Sequence, residues 1–275
     1  MIMGTVIVQR SDGITYDLNK LGMRVIQFEP PSANYQHTSE AIGTYGVVDT
    51  GTTVGALQIP FKLDVFAEDR YDVILQRRAF FEVFSSMDPF YIYDCRQLAL
   101  RWKVKAEQQP FGFYDNFYMG GDISFNLICN DGYAETAATS LNAFDGSNTG
   151  WGFGMGLPDN VALPYSWHNQ ATFKVLNPSS IPLLAEERPV HITFKGKASK
   201  LTIENTTTSQ TFVYNAAIDD TFELFGAWPL LNNTPDFANG NHAMIDLAKG
   251  WNTFKLSGYQ GDCDVSIDTR FYYNG

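Results

Sequence analysis

Chemistry needs particular side chains at particular spacings, and the sequence offers few of them. The four histidines, His37, His168, His191 and His242, form no HExxH or HxH, and none has a cysteine at zinc spacing. The carboxylates Glu186-Glu187, Asp219-Asp220 and Asp262 with Asp264 are close in sequence. Glycoside hydrolysis needs two carboxylates facing each other roughly 5–9.5 Å apart. Adjacent acids in a strand point to opposite faces, and in loops they are solvated. There is no GxSxG, P-loop or GxGxxG; the run Gly152-Phe153-Gly154-Met155-Gly156 fits none of them. A Ser-His-Asp triad needs no closeness in sequence, and nothing here selects its members. The expectation is a protein that is not an enzyme and uses no metal or other cofactor. Tryptophans are the better pointers. Trp151, Trp167, Trp228 and Trp251 all lie near Gly, Pro or Asn turns. An exposed one can stack on sugar or anchor a protein contact, and a buried one only fills a core. Trp228 and Trp251 are the candidate sugar platform.

The elements that would carry these residues read as mainly β. Val6–Arg10 and Ile14–Leu18 flank Ser11-Asp12-Gly13, a hairpin with a positive-φ turn. Val25–Phe28 is a short strand. Residues 32–55 are rich in Gly, Thr and Ser with little alternation, and are expected to be a long loop, functional or mobile. Gln58–Phe66 alternates as a strand, with Pro60 suggesting an edge. One helix is expected from about residue 69 to 86. Glu68 and Asp69 stand at its start, Val73, Ile74, Phe80, Phe81 and Phe84 on one face, and Arg77 inside that stripe. Strands follow at Phe90–Tyr93, Leu98–Ala106 and Ile123–Cys129, with an aromatic loop over Phe111–Tyr118.

A composition shift divides the chain into residues 1–140 and 141–275. The second part shows short strands separated by turn residues, as in a β-sandwich. They are expected at Ala171–Leu176, Val190–Lys195, Lys200–Glu204, Thr211–Tyr214, Thr221–Phe225, Ala243–Leu247, Thr253–Leu256 and Asp264–Tyr273.

The formal charge of this 275-residue chain is −11, from 19 basic and 30 acidic side chains. It is spread evenly between the two parts, which argues against gripping nucleic acid through phosphates. Hydrophobic residues make up 44%, enough to exclude disorder as the main state. Three cysteines without a CxxC pair suggest no disulfide framework. No basic region precedes an apolar stretch at the start, and no apolar run approaches the ~18–20 residues of a membrane span, so neither a secretory signal nor membrane insertion is expected.

Taken in order, several segments resemble the distal tail proteins (Dit) of long-tailed phages. They include Phe173-Lys174-Val175-Leu176-Asn177-Pro178, Pro189–Gly196, Leu201–Phe212, Lys249–Gly258, and Asp268-Thr269-Arg270-Phe271-Tyr272-Tyr273. The layout before them also matches: hairpin, long loop, strand, a helix with Arg77-Arg78, then Met87-Asp88-Pro89-Phe90 into a strand. The resemblance implies an N-terminal β-sandwich or split-barrel-like, ring-forming domain (1–140) with one helix and a hairpin. After it comes a galectin-like β-sandwich (141–275). It further implies a structural, non-catalytic hexameric ring at the virion tail tip, assembled in the bacterial host cytoplasm. Expected partners are further copies of itself, the major tail tube protein and the tail hub or tail-associated lysin. In some members receptor-binding proteins are added, and DNA is met only in transit through the channel. Residues 32–55 are the natural arm for reaching a neighbouring subunit. Tyr35, His37, Tyr45 and Val47 are the candidate interface residues.

Overall fold

The computed structural model describes residues 6–113, 119–142, 144, 150–152, 154–158 and 163–275. Tyr114–Tyr118 of the expected aromatic loop, Phe153 and much of the glycine-rich stretch after residue 142 lie outside them. Two compact units are present: Met1–Glu135 with Asn274–Gly275, and Thr136–Tyr273.

The first unit contains strands β1 (Val6–Gln9), β2 (Thr15–Asp17), β3 (Met23–Phe28), β4 (Asn34–Ile42), β5 (Gly46–Gly55) and β6 (Leu57–Phe66). After them come helix α1 (Asp72–Val83) and strands β7 (Phe90–Asp94), β8 (Leu100–Ala106) and β9 (Met119–Cys129). Apart from β4 and β5 they form one antiparallel sheet in the order β2-β1-β7-β8-β9-β6-β3. The β8–β9 join is thin, only Lys105↔Ile128 and Ala106↔Leu127. On either side of it the sheet folds over on itself, because Phe28 of β3 meets Trp102 of β8 edge-on at 5.4 Å between ring centres. Among the described residues no closed barrel forms.

Aromatic rings fill the space between. Phe84, just past α1, packs 5.6 Å from Phe61 of β6 and 5.2 Å from Phe125 of β9, with Phe80 of the helix against both Phe84 and Phe125. The helix is shorter than the expected 69–86. Its start is held by Asp69, whose carboxylate accepts the amides of Tyr71 and Asp72, while Asp72 reaches back to the Glu68 amide at 2.9 Å. The first helical hydrogen bond, from the Val73 amide to the Asp69 carbonyl at 3.1 Å, closes over the same residues, so Asp69 caps the helix and does not extend it. The apolar stripe also differs: Val73, Phe80, Val83 and Phe84 are buried and Ile74 is exposed. Arg77 is exposed, its guanidinium lying over the rings of Phe81 and Phe111.

Pro60 is not on an edge, since β6 runs between β9 and β3. The proline is tolerated because β3 ends opposite Phe61, so on that side Pro60 faces no partner strand. The larger correction concerns residues 32–55. Instead of a loop, they form a hairpin, β4 with β5, as a separate two-stranded sheet.

Strand β10 (Ala134–Thr136) spans the division between the units. The second unit holds β11 (Ser166–His168), β12 (Thr172–Asn177), β13 (His191–Asn205), β14 (Gln210–Tyr214), β15 (Thr221–Phe225), β16 (Trp228–Leu231), β17 (Thr234–Pro235), β18 (Gly250–Asp268) and β19 (Tyr272–Tyr273). Two long strands organise it. The expected pairs Val190–Lys195 with Lys200–Glu204, and Thr253–Leu256 with Asp264–Tyr273, are largely the continuous strands β13 and β18. These two run together through both layers of a sandwich, with register shifts at Gly196/Lys197 and Ala198/Thr202. The second half of β13 and the first half of β18 lie between β14 and β12. Their other halves lie between β15 and β11, with β16 and β17 beyond β15. The bend requires a bare backbone at Gly258: with φ +86°, a Cβ there would collide with the Lys200 carbonyl.

Rings close the two layers against each other. Trp167 of β11 stacks on Phe173 of β12 at 4.2 Å, and Phe222 of β15 packs on Tyr214 and Phe212 of β14. Ala243–Leu247 is not a strand, although Ile245 and Leu247 are buried as its alternation predicts. Its backbone is held mainly by side chains. Asn205 donates to the Asp246 carbonyl at 2.7 Å and Asn177 to the Leu247 carbonyl at 3.2 Å, leaving a single bridge, Leu183↔Leu247.

Candidate assembly site

The β4–β5 hairpin is the most unusual part of the chain. Of its nineteen strand residues only Gly55, at the base, is not exposed. Among the described residues nothing in the unit covers either broad face. The pairing Tyr35↔Val54, His37↔Thr52, Ser39↔Asp49 and Ala41↔Val47 places these side chains on one face, since paired residues of an antiparallel ladder point the same way. Three of the four predicted interface residues, Tyr35, His37 and Val47, therefore share a face. The fourth, Tyr45, stands in the turn and is 100% exposed.

Local chemistry keeps the arm in register. His37 Nδ1 lies 2.9 Å from the Thr52 hydroxyl, Thr50 donates to the Thr38 carbonyl at 3.0 Å, and Gly43 takes the positive φ of the turn. At the base, Asn34 donates to the Ala56 carbonyl and Val54 packs closely over Gly132. A lone two-stranded hairpin is marginal in water. This one exposes Tyr35, Ile42, Tyr45, Val47, Val48 and Val54, side chains of which several would each gain about 1.5–3 kcal/mol from full burial. Such an arm is suited to docking.

The tryptophans separate. Trp151 and Trp167 are buried, whereas Trp228 is 56% and Trp251 45% exposed. The two exposed ones do not form one platform. Trp228 pairs with Phe225 in one layer, and Trp251 pairs with Leu176 in the other. What the sequence did not signal is the company of Trp228. Its ring meets Phe237 edge-on at 5.2 Å, and across the strands lie Phe225 and then His191, whose ring meets Phe225 at 5.4 Å.

The titratable residues are engaged in ordinary structural pairs. His168 bonds Asp264 at 2.8 Å on the surface, His191 Nε2 stands 3.5 Å from Glu223, and Lys197 pairs with Asp219 at 2.7 Å. Burial raises the Cys129 thiol to about 11, with the nearby Asp131 adding to the shift. Among the described residues no group of three or more His, Cys, Asp or Glu could hold a metal ion, and no helix is long and apolar enough to cross a membrane.

Comparison with known proteins bears on the whole chain. Residues 11–127 match the family described as phage tail protein RIFT-related domain. No curated protein matches the sequence. Among solved structures, the chain is similar to the crystal structure of SPP1 Dit (gp 19.1), described as a paradigm of the hub adsorption apparatus in phages that infect Gram-positive bacteria. The TM-score is 0.70 at 13% identity, covering 98% of this chain and 99% of that one. Chains of the phage p2 baseplate, in activated conformations with calcium and with strontium, also align at 9% identity. They cover 98% and 96% of this chain and 98% of each of theirs, with TM-scores of 0.48 that are too low to argue from. The sequence resemblance thus meets an independent match in its N-terminal half and a shared architecture over its full length: residues 11–127 match the phage tail protein RIFT-related domain, and the whole chain shares the fold of SPP1 Dit.

Proposed function

We propose that this protein is a structural, non-enzymatic component of a phage tail tip, in which copies of the chain close into a ring, six by the family resemblance. Residues 1–140 are the ring-forming domain and residues 141–275 the galectin-like sandwich. The tail tube protein would meet one rim and the hub or tail-associated lysin the other, with DNA passing through the channel. The observation that carries this reading is the β4–β5 arm. It is a long hairpin with apolar side chains and, among the described residues, no covering of its own, attached to a domain matched to phage tail proteins.

A head-to-tail contact closes into a ring when its rotation divides the circle. A stable contact needs roughly 1,000 Å² or more, and an extended arm can supply much of it without a flat apolar face. The charge agrees with a passage for DNA. Six chains at −11 each would carry −66 in all, which disfavours adhesion of a polyanion to the wall. Electron microscopy of the purified protein, alone and with its tube and hub neighbours, tests the reading. Annular particles with a central hole support it; monomers under both conditions refute it.

A further inference from the structure

One surface of the second unit is not explained by ring formation. The registers Asp268↔His191, His191↔Phe225 and Phe225↔Trp228 place four side chains in one row across β18, β13, β15 and β16, all on the same face. One end of the row is aromatic and open: Trp228 is more than half exposed, Phe225 nearly half, and Phe237 braces the Trp228 ring from the side. The other end is polar, with His191 between the carboxylates of Asp268 and Glu223. Glu223 lies on β15 two residues from Phe225, on the same face and diagonal to Trp228, a separation of roughly 7–8 Å between Cα atoms. That distance is the length of one to two sugar rings.

An exposed indole beside fixed hydrogen-bonding groups is the arrangement that recognises a pyranose. The apolar C–H face of the sugar stacks on the ring while its hydroxyls reach acceptors at the edge. A protein-docking patch has a broad apolar centre with charge kept to the rim. Here ionisable groups stand within the row itself, next to the rings. The two carboxylates also select among glycans, because they repel phosphate- or carboxylate-bearing polymers.

We propose that the Trp228 end of this face is a binding site for a neutral polysaccharide. One sugar ring stacks on Trp228, and Glu223, backed by His191 at 3.5 Å, receives its hydroxyls. The site would serve adsorption to a glycan-coated surface and is independent of ring closure.

The test uses the full-length protein with maltohexaose, cellohexaose and chitohexaose as neutral probes and polyglycerol phosphate as the anionic one. Binding is read by calorimetry and tryptophan fluorescence. Expected is binding of at least one neutral hexasaccharide at millimolar concentration or below. It should weaken about tenfold or more in Trp228→Ala and by a smaller factor in Glu223→Gln, with the melting temperature of both variants unchanged. The proposal is overturned if no neutral probe binds at about 10 mM, if Trp228→Ala binds as well as the parent, if binding depends on Trp251 instead, or if polyglycerol phosphate is the preferred probe.

Discussion

Asn205 and Asn252, both fully buried, hydrogen-bond to each other at 3.2 Å between the adjacent long strands of the second unit. From that pair a polar network reaches outward. Asn252 also bonds the Ala248 amide and carbonyl at 2.9 and 2.8 Å, and Asn205 holds the Asp246 carbonyl and the Thr207 amide. These amides do for Ala243–Leu247 what a neighbouring strand would otherwise do.

Removing one member leaves buried backbone groups without partners, each costing about 1–3 kcal/mol. Asn252→Ala is therefore expected to destabilise the second unit by about 2–4 kcal/mol, measurable as a lower urea midpoint. A midpoint within error of the parent would show that water or rearrangement satisfies those groups.

Arg101 and Glu135 form the corresponding buried pair in the first unit. The guanidinium donates to the Glu135 carboxylate at 2.7 Å, lies over the Tyr91 ring at 3.7 Å, and meets the Tyr93 hydroxyl at 3.1 Å. Both side chains are about nine-tenths buried. Taking away one partner strands a charge out of water at a cost of about 3–5 kcal/mol, whereas replacing both with apolar residues is often close to neutral. Glu135→Leu alone should be severely destabilised, and Arg101→Met with Glu135→Leu should recover most of the loss. A double variant no better than the single one would contradict this account of the pair.

Asp236 gives the second unit a pH dependence. Its carboxylate accepts the Tyr214 hydroxyl at 2.6 Å and the Asn239 amide at 2.8 Å, and these bonds hold its pKa below the usual aspartate value. A depressed carboxylate pKa stabilises the fold above its unfolded value of about 3.9, and the benefit is lost as pH falls through the folded value. Asp236→Asn should thus be less stable than the parent at pH 7, with the gap narrowing as pH falls below the unfolded value and through the depressed folded one. Thermal melts across that range check it; a gap that persists at low pH would assign the effect to packing.

Much of the architecture was legible in the sequence, for reasons that also explain the failures. The Asp12-Gly13 turn and the helix announced themselves through local chemistry that the tertiary structure did not override. β4 and β5 did not, because neither of their faces is buried and no alternation marks them. Gly196 and Gly258 read as breaks between strands, whereas they mark bends within β13 and β18, a distinction that depends on which backbone passes nearby. Exposure of Trp228 and burial of Trp167 could not be separated by their similar turn-flanked settings. Of the arm residues, Tyr35, His37 and Val47 stand in a stretch that reads as a loop, and only the hairpin register shows that they share a face.

Light scattering combined with size-exclusion chromatography, on the parent and on a variant with residues 34–55 replaced by a short Gly-Ser turn, tests the central claim most directly. Both should be run in the presence of tube and hub proteins and checked for native circular dichroism. The account predicts multiples of the 30.8 kDa chain, up to six, for the parent and a folded monomer for the shortened arm. A folded, armless protein that still assembles, or a parent that stays single beside its partners, would contradict it.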